Sequence, residues 1–288
     1  MTQTRPAGTA GPNAAESLAA ETMYVGVSTK MYLGYADSLR WLGELRSEVD
    51  ARPALAAGRV VPFVIPSFPM IPAAAELLAG SPVLLGAQDC GWADGPWTGE
   101  VSPSLLSELG VRLVEIGHAE RRRHFGEDDA MIALKVKAAD DAGVTPLLCV
   151  GEETAGPASG TESRSSAAAA ASFVYGQIKA ATGGDWELAS RLVIAYEPVW
   201  AIGAAEPAGA GYVSDAVKHL RGRLGVHGLA GLPIIYGGSA KPGLLPTLDG
   251  VSGLFLGRFA HEAANFGKVL DEALAQTGAH SVARNEQG

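Results

Sequence analysis

Apolar residues gather along this chain into short runs rich in β-branched side chains. They lie at Tyr24–Ser28, Val60–Ile65, Val83–Gly86, Val111–Ile116, Val144–Val150, Leu192–Tyr196, Pro233–Tyr236 and Gly253–Leu256. Such runs predict strands of a parallel sheet covered on both faces. Between them apolar positions recur at helical spacing, most clearly over Ala36–Val49, Asp128–Ala142, Glu162–Ala181, Ser214–Leu224 and Glu262–Ala275. Eight strands alternating with helices predict an α/β protein, and eight is the number that closes a parallel sheet into a (β/α)8 barrel. An open, doubly wound sheet is the alternative, but no G-x-G-x-x-G turn follows the first run.

The pattern places a single barrel domain over residues 21–278. Residues 1–20 are rich in Pro, Gly, Ala and Thr, lack the apolar run of a signal peptide, and read as a flexible tail. Residues 279–288 read as a second tail. The stretch TAGPASGTESRSSAAAAA reads as a loop entering an Ala-rich helix, with nothing catalytic in it. A domain boundary there would break the alternation.

A length of 288 residues suits one barrel, and 47% hydrophobic residues supply its core. The 22 basic and 31 acidic residues give a net charge of −9, which argues against a nucleic-acid surface. An anionic substrate therefore needs a locally positive site. Cys90 and Cys149 have no metal-ligand spacing around them; no metal is expected, and so few cysteines suit a reducing cytoplasm. No apolar run approaches the ~18 residues that would cross a membrane, so a soluble protein is expected.

In a parallel barrel all strand C-termini face one end, so residues just beyond them share one mouth. Lys30 follows the first run, His118 the fourth and Glu197 the sixth; Gly237, Gly238 and Ser239 follow the seventh, and Gly257 the eighth. Glu197, in AYEPVWAIG, sits among apolar residues that would dehydrate it and strengthen it as a base, or it is a half-buried partner of an arginine. His118, in GHAERRRHFGE, stands at a strand-to-helix junction where an imidazole resists protonation, or is a structural turn residue. Lys30, in VGVSTKMYLG, is a strand-end charge whose interest comes from its company, with Glu120 and Glu100 as candidate partners. His124, His219, His227, His261 and His280 read as surface residues. The turns YGGSAKP and LFLGR can offer backbone N–H groups to an anion.

With these residues in hand, the segments AYEPVWAIG, GHAERRRHFGE, LLCVGE, WTGEVS and IIYGGSAKP together resemble the triosephosphate isomerase family, in the family's order, over roughly residues 24–275. The resemblance implies a single-domain TIM barrel without cofactor that interconverts dihydroxyacetone phosphate and glyceraldehyde 3-phosphate through an enediolate, in glycolysis and gluconeogenesis. It implies Glu197 as catalytic base, His118 as electrophile and Lys30 as the positive charge beside the enediolate. Glu120 matches the carboxylate near that lysine; Gly203, Ser239 and Gly257 match phosphate-holding positions. Pro198 to Ala208, including Val199, Trp200, Ala204 and Ala205, matches a lid that excludes water. The loop Gln88 to Glu100 matches one that inserts into a second subunit, with Thr98 reaching the partner's site, so a homodimer is implied. Glu127 and Lys135 match a structural ion pair.

Departures from the family pattern bear on the substrate. Ser28-Thr29-Lys30-Met31 stands where the family usually has Asn-Trp-Lys-Met, so Ser28 lines the site in place of Asn. Ala204-Ala205-Glu206-Pro207 replaces a Thr-Gly hinge, Ala119 replaces a Ser, and Gly257-Arg258 replaces a Gly-Gly pair, so that Arg258 either contacts the phosphate or points away from a repositioned backbone. A longer substrate is one consequence. The family includes four-carbon erythrulose-phosphate isomerases, the leading alternative; an inactive sugar-phosphate-binding barrel is an alternative of another class.

Overall fold

The computed structural model describes residues 22–153 and 166–278. The two tails expected at 1–20 and 279–288, His280 and most of the low-complexity loop lie outside the described residues. Eight strands form: β1 (Met23–Ser28), β2 (Val60–Ile65), β3 (Leu84–Ala87), β4 (Leu113–Ile116), β5 (Thr145–Val150), β6 (Val193–Tyr196), β7 (Ile234–Tyr236) and β8 (Gly253–Leu256). Each pairs in parallel with the next, and β8 returns to β1 with Tyr24 opposite Gly253 and Val27 opposite Leu256. The sheet is a closed barrel, so the open-sheet alternative falls.

Nine α-helices lie among the described residues: α1 (Tyr35–Asp50), α2 (Ile71–Leu77), α3 (Pro103–Glu108), α4 (Ala119–Phe125), α5 (Asp129–Asp141), α6 (Ala167–Ala181), α7 (Trp186–Ala189), α8 (Ala210–Gly225) and α9 (Ala263–Gln276). The five expected from periodicity are α1, α5, α6, α8 and α9. The other four are too short to show a period. α1 buries Ser38, Trp41, Leu42, Leu45 and Val49, one stripe at helical spacing. α6 starts later than Glu162: Ser166 caps it, accepting from the Ala169 N–H at 3.2 Å.

Five strands begin one or two residues later than their apolar runs, and in two of them the reason is the same. Val111 and Val144 each follow a glycine at positive φ (Gly110 at 85°, Gly143 at 71°) and donate back to Leu106 and Ala139 of the preceding helix. Each valine is thus the buried apolar residue that closes a helix C-terminus, and its hydrophobicity belongs to the helix end.

The barrel interior is filled by Phe63, Ile65, Leu113, Leu147, Cys149, Val193, Ala195, Ile235 and Phe255. A larger apolar layer separates strands from helices. Toward the strand C-termini the interior turns polar, with Ser28, Glu115 and Glu197 lining a cavity. Below the rim, Lys135 holds Asp89 at 2.7 Å and Glu127 at 2.5 Å, and Arg121 reaches both carboxylates at 2.7 Å. The expected Glu127–Lys135 pair is therefore half of a four-residue cluster that ties the loop after β3 to α4 and α5. Among the described residues no helix is long and apolar enough to cross a membrane.

Candidate active site

Lys30 leaves β1 with φ at 48°, a conformation a side chain with Cβ adopts at some cost. The surroundings hold it there. Its carbonyl accepts from the Gln88 side-chain amide at 2.8 Å and from the Ser67 hydroxyl at 2.9 Å. The ammonium is thereby aimed into the mouth, where it donates to Glu120 Oε1 at 2.6 Å. Burial disfavours the charge on Lys30, but the Glu120 hydrogen bond and nearby carboxylates outweigh it, so the pKa is raised and the amine stays cationic. Glu100, the other expected partner, does not join Lys30: it is exposed on the loop after β3, and its field falls on Arg121 and Cys90.

His118 is the N-cap of α4. Its Nδ1 accepts the Glu120 backbone N–H at 3.1 Å, which leaves the proton of the neutral ring on Nε2. Burial, then the nearby Lys30 charge, depress its pKa to about 4, so the ring is uncharged near neutrality. Nε2 faces Glu197 Oε2 at 3.6 Å and Glu115 Oε1 at 3.9 Å, too far for a hydrogen bond to either. A donor and a carboxylate oxygen thus confront each other with room between them.

Glu197 follows β6 and is 6% exposed. Burial first and the Glu115 carboxyl second push its pKa up to about 8, against the pull of Lys30. Its Oε2 has no hydrogen-bond partner, while the Cys149 thiol bonds the carboxyl. The alternative of an arginine-paired structural glutamate does not hold. Its seat depends on Gly237, where an added Cβ would lie 2.5 Å from Glu197 Oε1.

The segment expected as a lid rests against the turn after β7. Ser239 Oγ lies 2.9 Å from the carbonyl oxygens of both Ala201 and Ala204. At its far end the Ala208 N–H donates to the Tyr236 hydroxyl at 3.0 Å, and that hydroxyl donates to the Gly238 carbonyl at 2.8 Å. At its near end Pro198 leads into a 3-10 turn, Val199–Ala201. There Trp200 Nε1 donates to Glu152 Oε1 at 3.0 Å, an oxygen that also accepts from Tyr212 at 2.7 Å.

These elements enclose one cavity of about 560 Å³. Lys30, His118, Glu197 and Glu120 line it together with Ser28. Gly203, Ala204 and Ala205 close one side; Ser239, Gly257 and Arg258 form the far end. Pro198, Val199 and Trp200 do not line it; they anchor the segment from behind. Arg258 is exposed at the rim, 5.9 Å over the Tyr32 ring. His261 and His227 are not plain surface residues: both are half-buried, His261 packed on Tyr32 at 5.6 Å and His227 stacked on Trp186 at 3.7 Å. Sequence reasoning missed Glu115, Cys149, Glu152 and Tyr236 as members of this network. Glu115 did carry a signal, a carboxyl inside the apolar run VRLVEIG. Glu152 and Tyr236 act through contacts between distant segments, which no local pattern records.

Comparison with known proteins agrees with this geometry. Residues 23–273 match the family model described as Triosephosphate isomerase. The chain is 45% identical over 259 residues to an L-erythrulose-1-phosphate isomerase of Pectobacterium atrosepticum, covering 89% of this chain and 97% of that protein. It is 39% identical over 269 residues to an L-erythrulose-1-phosphate isomerase of Mycolicibacterium smegmatis, covering 91% and 97%. Among solved structures, triosephosphate isomerase from Bartonella henselae superposes with a TM-score of 0.69 at 27% identity, covering 86% of this chain and 98% of that one. The family match runs from the first strand into the last helix and leaves no part of the barrel outside it: the chain belongs to the triosephosphate isomerase family and is an isomerase.

Proposed function

We propose that this isomerase acts on a four-carbon keto-phosphate of the L-erythrulose 1-phosphate type, with Glu197 as base, His118 as neutral hydrogen-bond donor and Lys30 as electrostatic partner. The observation that carries the catalytic reading is the pairing of Glu197 Oε2, which has no hydrogen-bond partner, with His118 Nε2 at 3.6 Å in one cavity with Lys30. The substrate reading draws on the relatives' names and on the shortened Ser28 at the site wall.

In such a substrate the ketone at C2 lies between the phosphate-bearing C1 and a hydroxyl-bearing C3. The Glu197 carboxylate takes the proton from C3, and the C3–H electron pair moves to make an enediolate across C2 and C3. His118 Nε2–H and the Lys30 ammonium stabilise the oxygens as charge develops there. The hydroxyl proton passes from the C3 oxygen to the C2 oxygen, and Glu197 returns its proton to C2. The ketone now stands at C3, so the product is the erythrulose phosphate numbered from its other end. The same steps on a three-carbon substrate interconvert a ketose and an aldose.

Ser239, Gly203, Gly257 and Arg258 fit the phosphate: backbone donors at two glycines and a guanidinium at the rim suit a dianion in a protein of net charge −9. The segment from Pro198 through Val199, Trp200, Ala204 and Ala205 acts as the lid. The loop Gln88 to Glu100, exposed over most of its length with Trp97 at 41%, and Met31 beside Lys30 at 90%, suit a homodimer in which that loop covers the partner's mouth. Two free, buried cysteines suit the cytoplasm. On a tetrulose the enzyme serves sugar-phosphate metabolism, and a place in glycolysis or gluconeogenesis goes with the triose reading only.

Kinetics on both substrates tests the proposal. The expected result is a kcat/KM for L-erythrulose 1-phosphate at least ~10-fold above that for dihydroxyacetone phosphate, the smallest discrimination one added carbon gives. A preference for the triose would overturn the substrate assignment and leave the chemistry. Absence of solvent-deuterium incorporation into either substrate would overturn the chemistry.

A further inference from the structure

The barrel interior poses a question that the reacting groups do not answer. Glu115 stands on β4 two residues after Leu113, so both side chains face the interior. It stands opposite Leu147 of β5 and lines the cavity with Phe255, and it is 5% exposed. A carboxyl in such a layer is costly unless something holds it. Neither cation that lines the cavity takes it as a salt-bridge partner: Lys30 is bonded to Glu120, and Arg258 lies over the Tyr32 ring. The imidazole facing it at 3.9 Å is the uncharged His118. The Ser28 hydroxyl beside it favours its charged form but does not outweigh burial. Folding alone would be better served by an aliphatic residue at 115.

The position of this pair is informative. Both side chains line the same cavity as Lys30, His118 and Glu197. Phosphate-binding candidates Ser239, Gly257 and Arg258 occupy the rim, whereas Ser28 and Glu115 lie at the strand ends of β1 and β4, on the floor. His118 Nε2 marks where the reacting oxygens would sit, and Glu115 Oε1 is 3.9 Å from it. An atom that reaches Glu115 from a carbon held at His118 and Glu197 is one C–C and one C–O bond further on. That is the place of the C4 hydroxymethyl group, which a triose phosphate, ending at the reacting carbon, lacks.

We propose that Glu115 and Ser28 form a subsite for the terminal hydroxymethyl group of the four-carbon substrate, and that this subsite sets the preference for a tetrulose over a triose phosphate. The inference rests on the tetrulose reading given above and adds the residues that enforce it. A hydroxyl both donates and accepts, and so do a protonated carboxyl and a serine. Burial, together with the fields of Glu120 and Asp89, pushes the Glu115 pKa up to about 7, so the protonated form is well populated near neutrality. With a triose bound, the same carboxyl would face the substrate with no hydroxyl to meet. A site built to hydrogen-bond a hydroxyl rejects the analogue without it far more strongly than an apolar pocket does.

Glu115 also neighbours Glu197, and that sets the competing explanation: Glu115 tunes the base and touches no substrate. The two differ in which substrate suffers. The experiment measures kcat/KM on L-erythrulose 1-phosphate and on dihydroxyacetone phosphate for the wild type, Glu115→Gln and Glu115→Leu, with unfolding midpoints recorded for each. The subsite predicts that Glu115→Leu loses ~10²-fold more on the tetrulose than on the triose, as expected when a bound hydroxyl loses its partner. Glu115→Gln, which keeps a donor and an acceptor in the same volume, retains most of the discrimination. Equal losses on both substrates would assign Glu115 to tuning Glu197 and overturn the subsite. Unchanged discrimination in Glu115→Leu would overturn it as well. Should Glu115→Leu fail to fold, Ser28→Ala carries the same test, with a smaller but same-signed change in the ratio. A wild type that prefers the triose fails at the first measurement; a failed subsite shows only in the variants.

Discussion

The seat of Glu197 offers the sharpest test of the catalytic reading. Replacing Gly237 by Ala adds one methyl group at the end of β7. That methyl would stand 2.5 Å from Glu197 Oε1, 2.9 Å from its Cγ and 3.1 Å from its Cδ, whereas ordinary contact begins at 3.4 Å. The backbone of β7 is fixed by the Gly237 N–H bond to the Tyr196 carbonyl at 3.0 Å, so the side chain has to yield. The carboxyl must retreat by about 0.9 Å, the shortfall at Oε1, and a displacement near 1 Å is enough to cost ~10²-fold in rate. Expressed as a barrier this is about 2.7 kcal/mol. Glu197→Asp withdraws the same group by shortening it and should fall by a similar factor. The assay is steady-state turnover with a denaturant unfolding curve for each variant, because Gly237→Ala carries no positive-φ penalty and should leave the fold intact. Turnover within threefold of wild type in Gly237→Ala would refute the idea that the position of Glu197 sets the rate.

Three further outcomes follow from the same geometry. Glu197 titrates at about 8, above the usual carboxylate value, and only its ionised form accepts a proton; kcat/KM should therefore fall as pH drops below about 8. Glu115→Gln removes a neighbouring negative charge and should move that limb to lower pH, and a flat profile between pH 6 and 9 would contradict both statements. Lys135→Met leaves Asp89 and Glu127 buried with only Arg121 beside them, which should cost about 3 kcal/mol, the lower end for breaking a buried pair, as measured by denaturant unfolding. Tyr236→Phe deprives the Ala208 N–H and the Gly238 carbonyl of a shared hydroxyl at about 1 kcal/mol each, so the unfolding free energy should drop by about 2 kcal/mol, as measured by denaturant unfolding.

Much of the barrel was legible before any coordinate. All eight apolar runs became strands because a parallel strand covered on both faces must be apolar along its whole length, and that requirement is local. The errors at Val111 and Val144 are instructive: a buried valine looks the same whether it starts a strand or closes a helix. Lys30, His118 and Glu197 could be named from their place after strands and from family motifs. The partners that give them their properties could not. Glu100 looked as eligible for Lys30 as Glu120, and only the turn of α4 brings the second to 2.6 Å.

The sequence by itself determined the order of elements, and it named the end of the barrel proposed for the chemistry and the three candidate side chains, since each follows from hydrophobic period or motif. The closed chain of strands decided the rest: the 3.6 Å between His118 and Glu197, the raised pKa of a carboxyl sealed under Gly237, and the presence of Glu115 on the floor of the cavity. Those are properties of distances between residues far apart in the chain, and dehydration and Coulomb forces act on such distances whatever the sequence separation.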